Sequence, residues 1–314
     1  MTPCFDRSAD HNEVAIWLGQ PLAADPPFPG TVSPLHLAVD ADTRVLWTED
    51  RKQRFVLKVW HHDLPHRPDG QAIFAMTEAA SHLGVAPAPR MLLDNGRGLL
   101  MDHIGDGWSP ARLHQLATED GLNRLLSTKR ALHTLSLFPL DRNVFEDIRN
   151  LAIKTRPIAA FWSQDMEDML RVADQLEQAI SASGVDRVAA HADGVCSNVM
   201  LGQGGALQLI DFDEAGNVDP LFDLAVVLNE IFPLDEARHL SVLEAVEGQV
   251  RAASRARLAA YAFADDLKWG LWGLFMDASS PRLNLEFLKY GQWRWLRARM
   301  APLATDHQEI IRHV

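Results

Sequence analysis

The chain has 314 residues, 47% hydrophobic and 23% charged, which suits two lobes sharing an interface and excludes a disordered segment or a fibre. Its net charge of −12 argues against nucleic acid, because a duplex binder needs clustered Lys and Arg to displace counterions. No apolar run is long enough for a bilayer, no secretory signal opens the chain, and Cys4 and Cys196 alone make no disulfide framework, so a cytoplasmic protein without a membrane partner is expected.

In chain order, "RVLWTED" (44–50) and "RFVLKVW" (54–60) read as strands joined by the polar turn Asp50 to Gln53. "QAIFAMTEAASHLG" follows with Ile73, Met76, Ala80 and Leu83 at helical spacing and Gly84 as its stop. "RMLLDNGRGLLMDHI" is a second hairpin, turning at Asn95-Gly96. From about Gly105 the pattern is helical, through "SPARLHQLA", "DGLNRLLSTKRALHTLSLF", "DMEDMLRVADQLEQAISAS" and several segments beyond Pro220. Short strands interrupt it at "RVAAH", "NVML" and "LQLID". The expected architecture is α+β: a small antiparallel-sheet lobe over residues 1–104 and a larger helical lobe over 105–314, joined near Met101 to Gly105.

Chemistry concentrates in "HADGVCSNVMLGQGGALQLIDFDEAG", His191 to Gly216. Asp193 falls in a loop after one strand, Asn198 opens the next, and Asp211 closes the one after. Asn and Asp oxygens suit Mg²⁺, which takes few protein ligands and leaves the rest to water or phosphate. With Asn198 and Asp211 as ligands, Asp193 is free to hold a hydroxyl nucleophile. Phosphoryl transfer needs that division of labour.

With the following "DPLFDLA", this run resembles the catalytic core of the aminoglycoside phosphotransferase and choline–ethanolamine kinase superfamily, relatives of the protein kinases. The resemblance implies a protein-kinase-like two-lobed fold, ATP and Mg²⁺ as cofactors, and Asp193 as the catalytic carboxylate. It also implies Asn198 and Asp211 as metal ligands, Asp213 as an acidic support for a second metal, Asp223 as a buttress of the catalytic loop, and His191 as a structural residue. Upstream, Lys58 matches the phosphate-binding Lys, with Glu78 in the next helix as its expected partner. Met101 to His103 match the hinge that hydrogen-bonds adenine, and "STKRALHTL" matches the helix after it, where His133 is read as packing.

One region departs from the pattern. Where the family places a glycine or Ser/Thr-Asn turn over the phosphates, this chain has "VDADTRVLW", with acidic Asp40 and Asp42. Thr43 and Arg44 are the groups left to offer phosphate a hydroxyl, an amide or a guanidinium. A non-catalytic ligand-binding relative is the alternative this departure raises.

A small molecule is the expected acceptor, since seven residues between Asp211 and Asp219 leave no peptide platform. In "ADDLKWGLWGLFMD", Asp265, Trp269 and Trp272 share a helical face, and Tyr290 follows in "EFLKYGQWRW". Two Trp faces, a Tyr and a carboxylate suit a quaternary or protonated amine, and the arrangement resembles the choline pocket of choline and ethanolamine kinases. The alternative is that these aromatics pack the helical lobe. Glu214 and Glu230 are further carboxylates for an ammonium. The expected activity is ATP-dependent phosphorylation of an amino alcohol such as choline or ethanolamine, with an aminoglycoside, sugar or other metabolite as the alternative acceptor.

Overall fold

The computed structural model describes residues 8–32, 36–94, 96–301 and 303–314. Cys4 and Asn95 lie outside the described residues.

Side-chain alternation builds the first lobe. In β3 (Arg54–Trp60), Phe55 and Leu57 enter one apolar cluster while Lys58 and Trp60 face the other way, towards the helical lobe. β1 (Leu22–Ala24), β2 (Ala41–Thr48), β3, β4 (Pro89–Leu92) and β5 (Gly98–Asp102) form one antiparallel sheet in the order β1-β2-β3-β5-β4. Its register sets Thr43 and Leu99 on either side of Lys58. The β2–β3 turn is held by Thr48 Oγ1 and the Lys52 amide, both donating to Asp50 Oδ1 at 2.7 and 3.1 Å.

α1 (Ser8–Leu18) covers the outer face of the sheet, with Val14 packed on Leu46, Phe55, Leu57, Leu93 and Leu100. No sequence signal announces it, because Ile16 and Trp17 are exposed and no clean apolar stripe exists. α2 (Gly70–His82) starts at Asp69, whose carboxylate accepts from the Gln71 and Ala72 amides at 3.1 and 3.0 Å. It stops before Gly84, which takes the left-handed φ of 74°.

Past β5 the chain differs from the expected helix over "SPARLHQLA". Ser109–Pro110 pairs as β6 with β8 (Val199–Leu201), and only the single turn α3 (Leu113–Leu116) is helical. The helical lobe comprises α4 (Glu119–Leu132), α5 (Val144–Thr155), α6 (Gln164–Ser183), α7 (Pro220–Ile231), α8 (Glu236–Glu247), α9 (Ala252–Ser279), α10 (Phe287–Met300) and α11 (Leu303–His313). Between α6 and α7 lie β7 (Val188–Ala190), β8, β9 (Leu207–Leu209) and β10 (Gly216–Val218), in two small sheets. The result is the α+β, two-lobed, protein-kinase-like fold that was expected.

α9 and α10 cross closely because glycine meets glycine. A Cβ on Gly273 would stand 2.5 Å from Gly291 Cα, and one on Gly291 would stand 2.9 Å from the Leu274 nitrogen. This crossing brings Trp269 and Trp272 of α9 beside Tyr290 of α10. Trp295 packs inside while Trp293 is half exposed.

Candidate active site

The loop from His191 to Asn198 joins β7 to β8 through a short 3₁₀ turn at Cys196–Asn198. Asp193 Oδ1 accepts from the Val195 amide at 2.8 Å and Oδ2 from Asn198 Nδ2 at 2.6 Å, which fixes the carboxylate and leaves the lone pairs of Asn198 Oδ1 for a cation. Burial, reinforced by the Asp211 charge, pushes Asp193 up to about 7. Ala192 and Asp211 adopt left-handed φ values of 58° and 67°, local strain of the kind found at functional sites.

The loop rests on a buried ion cluster. Asp223 of α7 accepts from the Ala192 amide at 2.9 Å, from Lys129 at 2.7 Å and from His133 Nε2 at 2.9 Å. Burial opposes its charge, but Lys129 and His133 hold it well below the ordinary carboxylate range. Lys129 also donates to the Asp193 carbonyl at 2.8 Å. His133, expected only to pack, is thus a hydrogen-bonding member of the cluster, and Lys129 is a residue the sequence reading missed. His191 donates from Nε2 to the Ile210 carbonyl at 3.0 Å and meets Phe212 edge-on at 4.8 Å. Burial and Lys129 bring it down to about 4, so it is neutral at pH 7.

Lys58 lies between Asp211 and Asp213, 2.7 Å from an oxygen of each. Trp60 Nε1 donates to the other Asp213 oxygen at 2.7 Å. Burial works against the Lys58 charge, but the two carboxylates hold it above its ordinary value. Burial opposes the Asp211 charge as well, and the Lys58 ammonium outweighs it, keeping Asp211 low. Burial and the Asp211 charge push Asp213 up to about 6. The expected Lys58–Glu78 pair is not formed. Glu78 is exposed on α2, and Ile73 and Thr77 are what the helix turns towards Lys58. Adjacent helical residues are about 100° apart, so docking α2 by Thr77 sends Glu78 to solvent.

Between the lobes is a cavity of about 350 Å³, with Val45, Val56, Met101 and Ile210 as apolar walls and Lys58, Asn198 and Asp211 at its polar end. Thr43 and His103 also line it. Arg44 does not: strand alternation turns it aside, where it pairs with Asp42 at 3.0 Å. Asp40 borders the same cavity, and its Oδ1 is buried with no hydrogen-bond partner. Burial, with the Asp213 and Asp211 charges, pushes it up to about 8. The acid that looked repulsive to phosphate is therefore mainly uncharged at neutral pH.

On the acceptor side, Trp269, Trp272 and Tyr290 stand at steep angles to one another, with ring centroids 5.5, 6.0 and 6.5 Å apart. The imidazole of His36, not singled out from the sequence, lies among all three. Asp265 does not serve as a free carboxylate there. It is buried behind the rings, accepting from Arg294 and, at 2.8 Å, from Asn229 Nδ2. Arg294 also pairs with Asp266 at 2.8 Å, so α7, α9 and α10 are tied by one buried network. Glu214 is paired with Lys268, whose ammonium lies 5.0 Å from the Trp269 ring. Burial opposes its charge, but Lys268 and Arg142 hold Glu214 down at about 2. Glu230 sits near Cys196, whose amide donates to it at 3.4 Å. Among the described residues no helix is long and apolar enough to cross a membrane.

The model of the phosphotransferase enzyme family matches residues 31–303. A choline/ethanolamine kinase family protein from Mesorhizobium loti superposes with a TM-score of 0.73 at 20% identity, over 97% of this chain and 98% of its own. The choline kinase of Streptococcus pneumoniae gives 0.75 at 18% identity, over 95% and 98%. A spectinomycin phosphotransferase gives 0.62 at 15% identity, also over 95% and 98%. No curated protein matches the chain.

Proposed function

We propose, for a chain that belongs to the phosphotransferase enzyme family, that it transfers the terminal phosphate of ATP to the hydroxyl of a small amino alcohol such as choline or ethanolamine. The three-ring box of Trp269, Trp272 and Tyr290 carries this choice of acceptor, since aromatic faces at these separations attract a cation. The superposition on choline and ethanolamine kinase structures supports it.

Adenine would fill the apolar part of the cavity between Val45, Val56 and Ile210, against the backbone of Met101 to His103. Thr43 and Lys58 would face the phosphates. Among the described residues no group of three or more His, Cys, Asp or Glu forms a metal cage. Mg²⁺ does not require one, because it keeps waters and phosphate oxygens among its ligands, and the hard oxygens of Asn198 and Asp211 fit it, with Asp213 beside them. Bound there, the ion would neutralise charge developing on the phosphates. Asp193, fixed by Val195 and Asn198, would accept the proton of the acceptor hydroxyl as its oxygen bonds to the γ-phosphorus and the bond to the ADP oxygen breaks. Lys58, held by Asp211 and Asp213 and not by Glu78, would stabilise the charge passing to ADP.

A cavity of about 100 Å³ that Trp269 and Trp272 also line, with His66, Asp147, Asn150, Glu214 and Lys268 as its polar groups, favours a second reading, an acceptor with additional polar groups such as an aminoglycoside or sugar. Phosphate transfer from ATP with Mg²⁺, measured across choline, ethanolamine, aminoglycosides and simple sugars, separates the two. Turnover of the amino alcohols that disappears in Asp193→Asn supports the proposal. Turnover confined to sugars or aminoglycosides refutes the acceptor assignment.

A further inference from the structure

The box is not vacant. The His36 imidazole centroid lies 5.6 Å from Trp269, 5.4 Å from Trp272 and 5.3 Å from Tyr290, nearly equidistant from the three. A cation is held over an aromatic face within about 6 Å of its centroid, so the imidazole occupies the position an ammonium would take.

His36 is a poor match for that position. Its ring is inclined at 61°, 53° and 55° to the three walls and stacks on none of them. Neither Nδ1 nor Nε2 reaches solvent or a hydrogen-bond partner, and a buried polar atom left unpaired is costly. Two residues on, Ala38 is in the left-handed region at φ 47°, which a residue with a Cβ disfavours. Burial brings the imidazole down to about 4, so at neutral pH it is uncharged and gains no cation–π attraction. What keeps it in place is the backbone. The His36 carbonyl accepts from Ser197 Oγ in the catalytic loop, and Leu37 exchanges hydrogen bonds with Thr31 at 2.8 and 2.9 Å.

We propose that His36 is a built-in competitor for the acceptor's cationic head, and that a head seated against Trp269, Trp272 and Tyr290 together must displace it from them. This rests on the amine-box reading above and extends it. An internal occupant weakens every ligand of the box by the same factor, the inverse of the fraction of time the box is open. It therefore acts as a threshold. A quaternary or protonated amine gains from the ring faces what a neutral imidazole does not, and passes it. A neutral head of equal size has no such gain and fails to bind usefully. His36 thereby sets how much binding energy any acceptor must supply, while the ring faces decide which heads supply it.

The test is calorimetric titration of the full chain with tetramethylammonium, a head group with no hydroxyl to react, in wild type, His36→Ala and His36→Phe. His36→Ala should bind it more tightly by at least about fivefold, the factor for a box self-occupied four-fifths of the time. His36→Phe, which fills the box with a ring free of buried nitrogens, should bind it more weakly than wild type. Equal or weaker binding by His36→Ala, with an unchanged melting temperature, would overturn the proposal and make the imidazole part of the seat. If His36→Ala does not fold, tighter or unchanged binding by His36→Phe overturns it alone. No binding by any of the three proteins refutes the amine box itself, and the competitor with it.

Discussion

Lys129 Nζ donates to the backbone carbonyl of Asp193 at 2.8 Å while pairing with the Asp223 carboxylate at 2.7 Å. One ammonium thus positions the residue proposed to receive the substrate's proton and neutralises the acid that holds the neighbouring amide. Replacing it with Met leaves Asp223 buried at 1% exposure without its main counter-charge. Removal of one partner from a buried pair costs about 3–5 kcal/mol, so Lys129→Met should lose that much in urea unfolding and most of its activity.

Glu78→Gln should change little. The side chain is exposed and holds neither Lys58 nor the cavity, so stability should stay within about 0.5 kcal/mol and the KM for ATP near that of wild type. Lys58→Met should instead raise that KM strongly, because Asp211 and Asp213 lose the ammonium between them. Steady-state kinetics on both variants give the comparison, and a large effect of Glu78→Gln would restore the pairing expected from the family resemblance.

Asp193→Asn keeps the shape of the side chain and removes the proposed proton acceptor. Loss of a general base lowers turnover by about 10²–10⁴-fold, and kcat should fall by that much while ATP affinity holds.

Asp40 gives a pH signature. Its carboxyl titrates near 8 in the fold, against about 4 for a free Asp in the unfolded chain. The folded state therefore binds the extra proton between those values, and this group makes stability fall as pH rises from about 4 to 8 and level off above. Asp40→Asn removes that slope. The variant's melting temperature should gain on wild type from pH 5 to pH 8 and then hold its lead to pH 9, and a constant difference throughout would show that Asp40 is charged throughout.

Gly273→Ala and Gly291→Ala each place a methyl where the facing helix already stands, 2.5 and 2.9 Å from backbone atoms. Overpacking of this kind costs about 1–3 kcal/mol, visible in urea unfolding, and forces α9 and α10 apart. Acceptor KM should rise more than ATP KM.

Much of the site was legible because its chemistry is local in the chain. Asp193, Asn198, Asp211 and Asp223 lie within one run whose strand and loop signals place them together. Lys58 was legible as a charge in an apolar strand. That Glu78 would not reach it was not legible, because Thr77 and Glu78 are neighbours in sequence and only the docking angle of α2 decides which of them faces Lys58. Asp265 shares a helical face with Trp269, as read, but α10 covers it with Arg294, and no pattern in one helix shows what packs upon it. Lys129 left a signal that was passed over, a charge within the apolar positions Leu122, Leu125, Leu126 and Leu132 of α4. His36 left none, being a single imidazole far from the rings in sequence.

The network of Asn229, Asp265 and Arg294 also makes the molecule a calliper. α7 carries Asp223, which props the catalytic loop, and six residues later Asn229, which is bonded to the helix bearing Trp269 and Trp272. A helix is stiff over that length, so the gap between the aromatic seat and the Asp193 carboxylate is set by one rigid rod. For an amino alcohol, the number of carbons between nitrogen and hydroxyl then has to match that gap, and homologues one methylene shorter or longer should place their oxygen out of line with the phosphorus.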